Sequence, residues 1–313
     1  MFSVPICSCF SGERTVKTLL FIYNAVSGKG KIPAELPVIL DIFTKAGYLV
    51  TSYPTQHKSD AARIARELGG SFDRVVCAGG DGTLSETVAG LMSLPNRPVL
   101  GYIPAGSTND CARTLRLPKD LKKAAALAVS ENMPRPWDIG KLNDRSFVYV
   151  SAFGAFTEVS YDTPQELKNA FGHLAYVLAG IASIPSITPY RMKVRYNGKE
   201  IEDDFYYGMV CNSISVGGMK TPAQNPVVLD DGLFEVVLVK RPLGLSELTA
   251  ALMSLIHKNP VEAGSALLSF RTSKVEFISS KPIPWTLDGE YGGSHTTCLV
   301  ENCCQAITVM RGD

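Results

Sequence analysis

The sequence is short of most of the usual signposts. Its eight cysteines include no C-x-x-C pair, and adjacent Cys303 and Cys304 give a poor disulfide and no metal pattern. Reduced thiols and a cytoplasmic setting are expected. The four histidines, His57, His173, His257 and His295, form no H-x-x-x-H pair, which reads as structural imidazoles rather than metal ligands. Charge of one sign is absent as well: 31 Lys and Arg face 30 Asp and Glu, a net charge of +1. No global field therefore recruits nucleic acid, and any anion site must be local. No apolar run reaches the roughly eighteen residues of a membrane span; "LAYVLAGIASI", 174–184, is the nearest. Its helical periodicity suits a core helix, with a substrate wall or interfacial helix as the alternative. The first residues lack the basic and long apolar regions of a secretory signal, and 1–16 read as a disordered lead. Internal repeats, lipidation motifs and polybasic runs are missing too.

What remains is an ordinary globular composition, 45% hydrophobic and 19% charged over 313 residues, enough for two domains. From Lys17 to about Met133, apolar runs such as "TLLFIYN", "FDRVVCAGG" and "PVLGYIP" alternate with helical patterns such as "SDAARIARELG". That order predicts a three-layer α/β domain with a mostly parallel sheet over 17–135. Beyond Pro134 and Pro136 the texture becomes strands joined by turn signals, among them Asn197-Gly198. Residues 136–313 are expected to form an antiparallel, β-rich, sandwich-like domain, with room for its last strands to return to the first.

The chemistry concentrates at strand ends. "CAGGDGTLSE", 77–86, sets Gly79, Gly80 and Gly82 between a short strand, Arg74 to Ala78, and a helix. Residues 83–86 fit a capping box for that helix, which is expected to run to about Leu94. Side-chain-free residues there let backbone N–H groups approach an anion, and the helix dipole favours negative charge. The alternative is a structural turn with Asp81 as a helix cap. Neither a Walker loop nor the dinucleotide spacing is present. An acid beside phosphates suggests phosphoryl transfer with a divalent ion rather than passive binding. "PAGSTND", 104–110, and "YNAVSGKG", 23–30, bring Gly106, Ser107, Asn109 and Asp110, and Asn24, Ser27, Gly28 and Lys29, to two further strand ends. Carboxyl ends of parallel strands share one edge of a sheet, so all three loops would line one crevice.

Together with "DDGLFEV", 230–236, and "LDGEYGG", 287–293, these motifs resemble the diacylglycerol kinase catalytic family, in order, from about Thr18 to Met310. Its soluble bacterial lipid kinases are the nearest in pattern. Two departures stand out: Ser107 replaces the usual threonine of G-T-x-N-D, and Ala25 the proline of N-P-x-S-G. The resemblance implies nucleotide contacts at Gly79, Gly80, Asp81, Gly82, Thr83 and Glu86, at Thr55 before the second helix, and at the two other loops. It implies a structural magnesium at Asp231, with the backbone oxygens of Val228 and Leu233. It places the base among Asp288 and Glu290 without choosing; the side chain of Glu290 lies beyond the tight Asp-Gly turn and is the freer to reach a substrate, while Asp81, among the glycines, suits metal or phosphate positioning. Without the resemblance, "LDGE" and "DDG" read as plain turns.

The expected activity is transfer of the γ-phosphoryl group of ATP, with Mg2+, to diacylglycerol. That implies a peripheral contact with the inner membrane face and allows a homodimer. Kinases for sphingoid bases or NAD, or a regulator without catalysis, are the alternatives.

Overall fold

The computed structural model describes residues 16–28, 30–154, 188–216, 219–220, 227–241 and 266–312, leaving aside the side chains of 219 and 220. The helical pattern at 171–184 and Lys29 lie outside the described residues.

The first half runs β1 (Lys17–Tyr23), α1 (Ile32–Lys45), β2 (Tyr48–Pro54), α2 (Asp60–Leu68), β3 (Arg74–Gly79), α3 (Asp81–Met92), β4 (Val99–Pro104), α4 (Asp110–Thr114) and α5 (Leu121–Ala128). β1 pairs in parallel with β2 and β3, and β3 with β4. Alternation along the strands loads both faces, since successive side chains point to opposite sides. Leu19, Phe21, Val76 and Ala78 pack with Ile39 and Phe43 of α1 and Ala124 and Ala128 of α5. Leu20, Ile22, Val75 and Cys77 pack on the other face with Ile64 of α2 and Leu84, Val88 and Leu91 of α3. Each large side chain fully removed from water there contributes roughly 1.5–3 kcal/mol.

The described residues of the second half form strands. β5 (Arg135–Leu142), β6 (Arg145–Phe147), β7 (Val150–Gly154), β8 (Tyr190–Tyr196) and β9 (Lys199–Cys211) are followed by a small hairpin, β10 (Ser215–Val216) and β11 (Met219–Lys220). Then come β12 (Phe234–Lys240), β13 (Leu267–Thr272), β14 (Lys274–Leu287) and β15 (Glu290–Val309). Asn197 and Gly198, both at positive φ (48° and 72°), close the β8–β9 hairpin as that dipeptide should. A second core gathers Phe153, Phe205, Phe234, Phe277 and Trp285.

Two features join the halves. β15 pairs antiparallel with β14 and β5, and its end meets β4 in parallel at Val309 and Leu100, so thirteen strands form one sheet among the described residues. The core above α2 and α3 also continues through Trp137, Tyr149, Ala152 and Met209 of the second half. Pro134 and Pro136 thus mark a change of texture, not a break in packing.

One local expectation is overturned. The capping box at Thr83 and Glu86 is not made: α3 begins at Asp81 with Gly80 as its N-cap and no side-chain cap. Thr83 is instead buried against the strand end, where a Cβ on Gly79 would stand 2.4 Å from its Oγ1. Glu86 turns outward to another loop.

Candidate active site

The three strand ends meet. Asn24 N donates to Ala78 O at 2.9 Å, Thr55 N to Tyr23 O at 2.9 Å and Ala105 N to Gly79 O at 2.7 Å, extending the strand pairing into the loops. A Cβ on Gly28, at φ +59°, would stand 2.1 Å from Ala105 O, so that position is closed to other residues. Tyr102 Oη donates to Gly79 O at 3.1 Å from the buried side.

Asp81 is the tie between two of the loops. Its Oδ2 accepts from Asp110 N at 2.9 Å and its Oδ1 from Cys111 N at 3.1 Å. Burial pushes its carboxyl above the usual carboxylate range, against the pull of those amides. It does not line the cleft described next; its two oxygens hold the start of α4 against the glycine loop. Asn109, at φ +55°, likewise spends its side chain on its own loop, accepting from Gly106 N at 2.9 Å and donating to Gly106 O at 2.7 Å. Asp110 is buried, and its Oδ1 accepts from Ser215 Oγ at 2.5 Å.

A cleft of about 440 Å³ opens between the halves, lined by Asn24, Ser27, Thr55, Gly80, Gly82, Thr83, Glu86 and Glu290, with His57 and Lys58 at its side. Gly106, Ser107, Thr108 and Asn109 do not face it. They line a second recess of about 760 Å³ with Gly28, Lys31 and Lys119. The expected single crevice is therefore two recesses divided by the contact of the loops themselves.

The two acids of "LDGE" part company. Asp288, 7% exposed and at φ +51°, is saturated: Oδ2 accepts from Ser85 Oγ at 2.6 Å and Val148 N at 2.7 Å, Oδ1 from Tyr149 N at 2.9 Å and Val150 N at 3.2 Å. Burial raises its pKa and these donors lower it. A carboxylate with four donors in place has no room to take a substrate proton, so Asp288 is corrected from base candidate to a buried joint between α3 and β7. Glu290, two residues on, reaches the cleft. Its Oε2 pairs with Lys58 Nζ at 2.9 Å, and its Oε1 lies 4.0 Å from where a Cβ on Gly82 would stand.

The expected magnesium at Asp231 does not fit. Asp231 Oδ1 accepts from Leu233 N at 3.0 Å, and its Oδ2 is paired with the guanidinium of Arg271, which also reaches Glu235. Both oxygens are engaged, one of them by a cation. Val228 is exposed beside this turn.

Reading the sequence missed Lys58, Ser85 and Asp138. Asp138 is fully buried and fastens the Asp231 turn, accepting from Gly232 N at 2.6 Å and Gln305 N at 2.6 Å. An acid set in the apolar run Trp137 to Ile139 was the available signal. Lys58 had none.

Comparison with known proteins agrees with the motifs. A diacylglycerol kinase catalytic domain model matches residues 18–142, and a YegS C-terminal NAD kinase beta sandwich-like domain model matches 153–311. The chain is similar to a diacylglycerol kinase of Bacillus subtilis, 35% identical over 89% of this chain and 91% of that one. It is similar to one of Staphylococcus carnosus, 34% identical over 88% and 90%. A crystal structure of a diacylglycerol kinase from Bacillus anthracis shares the fold, with a TM-score of 0.72 at 24% identity over 95% of this chain and 97% of that one.

Proposed function

The chain belongs to the diacylglycerol kinase catalytic family, and from that premise we propose that it transfers the γ-phosphoryl group of ATP to the hydroxyl of diacylglycerol, giving phosphatidic acid and ADP. The observation that carries this reading is the free Oε1 of Glu290 facing Gly82 across the cleft.

Nucleotide phosphates would lie on Gly80 and Gly82 at the start of α3, where unpaired N–H groups and the helix dipole favour them. The side chains of Asn24, Ser27, Thr55 and Thr83 offer polar contacts around the same space. Magnesium would enter with the nucleotide, as MgATP, and spread the phosphate charge; no protein site for it is invoked. Glu290 would take the proton of the lipid hydroxyl as the new O–P bond forms and the bond from the γ-phosphorus to the bridging oxygen breaks, with ADP leaving. Asp81 and Asp288 would serve by holding the loops and the second half in register.

No described helix is long and apolar enough to cross a membrane. In this reading the lipid is met from the membrane surface, with the cleft turned to the bilayer on its inner face. Transfer of label from γ-labelled ATP to diacylglycerol in mixed micelles tests the reading, with sphingosine and NAD offered in parallel. Labelled phosphatidic acid is expected, together with a fall of roughly 10²–10⁴-fold in turnover for Glu290→Gln. Label on NAD in place of lipid, or an unimpaired Glu290→Gln, would overturn it.

A further inference from the structure

Glu290 is held from the opposite wall of the cleft. Lys58 Nζ, 2.9 Å from Glu290 Oε2, links the turn between β2 and α2 to the turn between β14 and β15. The backbone on either side of Lys58 is fixed. Asp60 Oδ2 accepts from Gln56 N at 2.8 Å and from His57 N at 3.1 Å, and Glu86 Oε1 accepts from Ser59 N at 2.8 Å. Ser59 itself sits in the left-handed region, φ +69°. One carboxylate from α2 and one from α3 thus present this lysine at a set height above the glycine loop.

Stability does not account for the pair. The two side chains are 73% and 46% exposed, and bridges in water contribute little. Local charge gives a better account. Glu86 and Glu290 both line the cleft, and Lys58 is the one lysine or arginine among its described lining residues. Glu290 holds the Lys58 ammonium above the usual lysine range. With Oε2 engaged by the lysine, Oε1 is the oxygen left toward Gly82.

We propose that Lys58 is a positioning residue for the proton acceptor: it fixes one oxygen of Glu290 so that the other faces the phosphoryl group, and it offsets the second carboxylate in the cleft. This rests on Glu290 being the base. Lys58 touches no reacting atom in this role, which separates it from a lysine that binds phosphate.

Four variants test it: Lys58→Met, Lys58→Arg, Glu290→Gln, and Lys58→Met combined with Glu290→Gln. Turnover with diacylglycerol at saturating ATP is measured beside calorimetric affinity for a non-hydrolysable ATP analogue. Lys58→Met should lower kcat on the order of 10- to 100-fold, as misplacement of a reacting group does. Analogue affinity should stay within about twofold, because positioning acts in the transition state. Lys58→Arg should restore most of the rate. On the Glu290→Gln background, Lys58→Met should add no further loss, since residues acting as a unit are not additive.

An unchanged kcat in Lys58→Met overturns the proposal. So does weakened analogue binding with full kcat, which would make Lys58 a phosphate ligand, or a full further loss on the Glu290→Gln background. Wild-type turnover by Glu290→Gln alone would remove the base and the positioning role together, and is distinguishable from the other outcomes.

Discussion

Gly106 and Gly80 meet backbone to backbone: a Cβ on Gly106 would stand 2.6 Å from the Gly80 Cα and 2.8 Å from Asn109 Oδ1. Gly106→Ala should therefore push the two loops apart, at a cost of about 1–3 kcal/mol for overpacking, and, if Gly80 holds nucleotide as proposed, weaken ATP binding. Calorimetry with an ATP analogue and a denaturant melt read both effects. Gly80 is different in kind. Its φ of −84° is open to any residue, so Gly80→Val should act through the bulk it places in the cleft and weaken nucleotide binding with a smaller loss of stability.

Asp288→Asn and Glu290→Gln should separate stability from rate. In Asp288→Asn an amide group must face two donors that now meet an oxygen. Each donor left unsatisfied costs about 1–3 kcal/mol, which outweighs the relief of a buried charge. Glu290→Gln, at an exposed side chain, should change stability by no more than about 0.5 kcal/mol. Urea denaturation of the two variants, set beside their turnover, checks the division.

Asp81→Ala should lose nucleotide affinity and stability together, because Asp110 N and Cys111 N lose their acceptor and the second loop loosens. A variant that binds the ATP analogue as wild type does, while failing only in turnover, would return Asp81 to the reacting centre.

Magnesium without nucleotide should leave the thermal melt of the wild-type protein unmoved, since Arg271 already pairs with Asp231. Asp231→Ala should lower the melting temperature equally with and without the ion, through the loss of about 1.5–3 kcal/mol that a charged hydrogen bond contributes. A magnesium-dependent melt in the wild type alone would restore the ion to this turn.

Glu235 sets a pH dependence. Burial carries its carboxyl from 4.5 up to about 7, and the guanidinium that pulls the other way is shared with Asp231. The folded state then holds this proton to higher pH than the unfolded chain does. Its contribution is complete below the unfolded value and is lost as pH rises through the folded one. Between those values the wild type should lose stability relative to Glu235→Gln, by up to a few kcal/mol, at roughly 1.4 kcal/mol for each tenfold difference in proton affinity between the two states. Denaturant melts of both proteins across that window measure the difference.

The glycine loop, its two companion loops and the antiparallel texture of the second half could be read directly. Gly79, Gly80 and Gly82 at a strand end, and Asn197-Gly198 in a hairpin, are local signals with local causes. Roles decided by distant partners could not. Asp288 and Glu290 share one turn and differ only because the backbone of Val148 to Val150 surrounds the first. Asp231 carries the same motif with or without Arg271 forty residues away. Lys58 is one more loop lysine until Glu290 arrives from the far end of the chain. Even the capping box failed for this reason, because Glu86 finds Ser59 N a better partner than its own helix start.

The meeting of β15 with β4 has a bearing on synthesis. While the chain emerges, β4 can pair with β3 as soon as the first half is made, but its other edge has no strand to receive until residues near Val309 appear. Through that interval the backbone of a buried, apolar strand at Leu100 lacks its later partner, the condition under which nascent proteins pair with the wrong neighbour. The first half should therefore be prone to aggregate when translated alone as residues 16–142. The same segment should become soluble when a peptide carrying 290–312 is supplied alongside it.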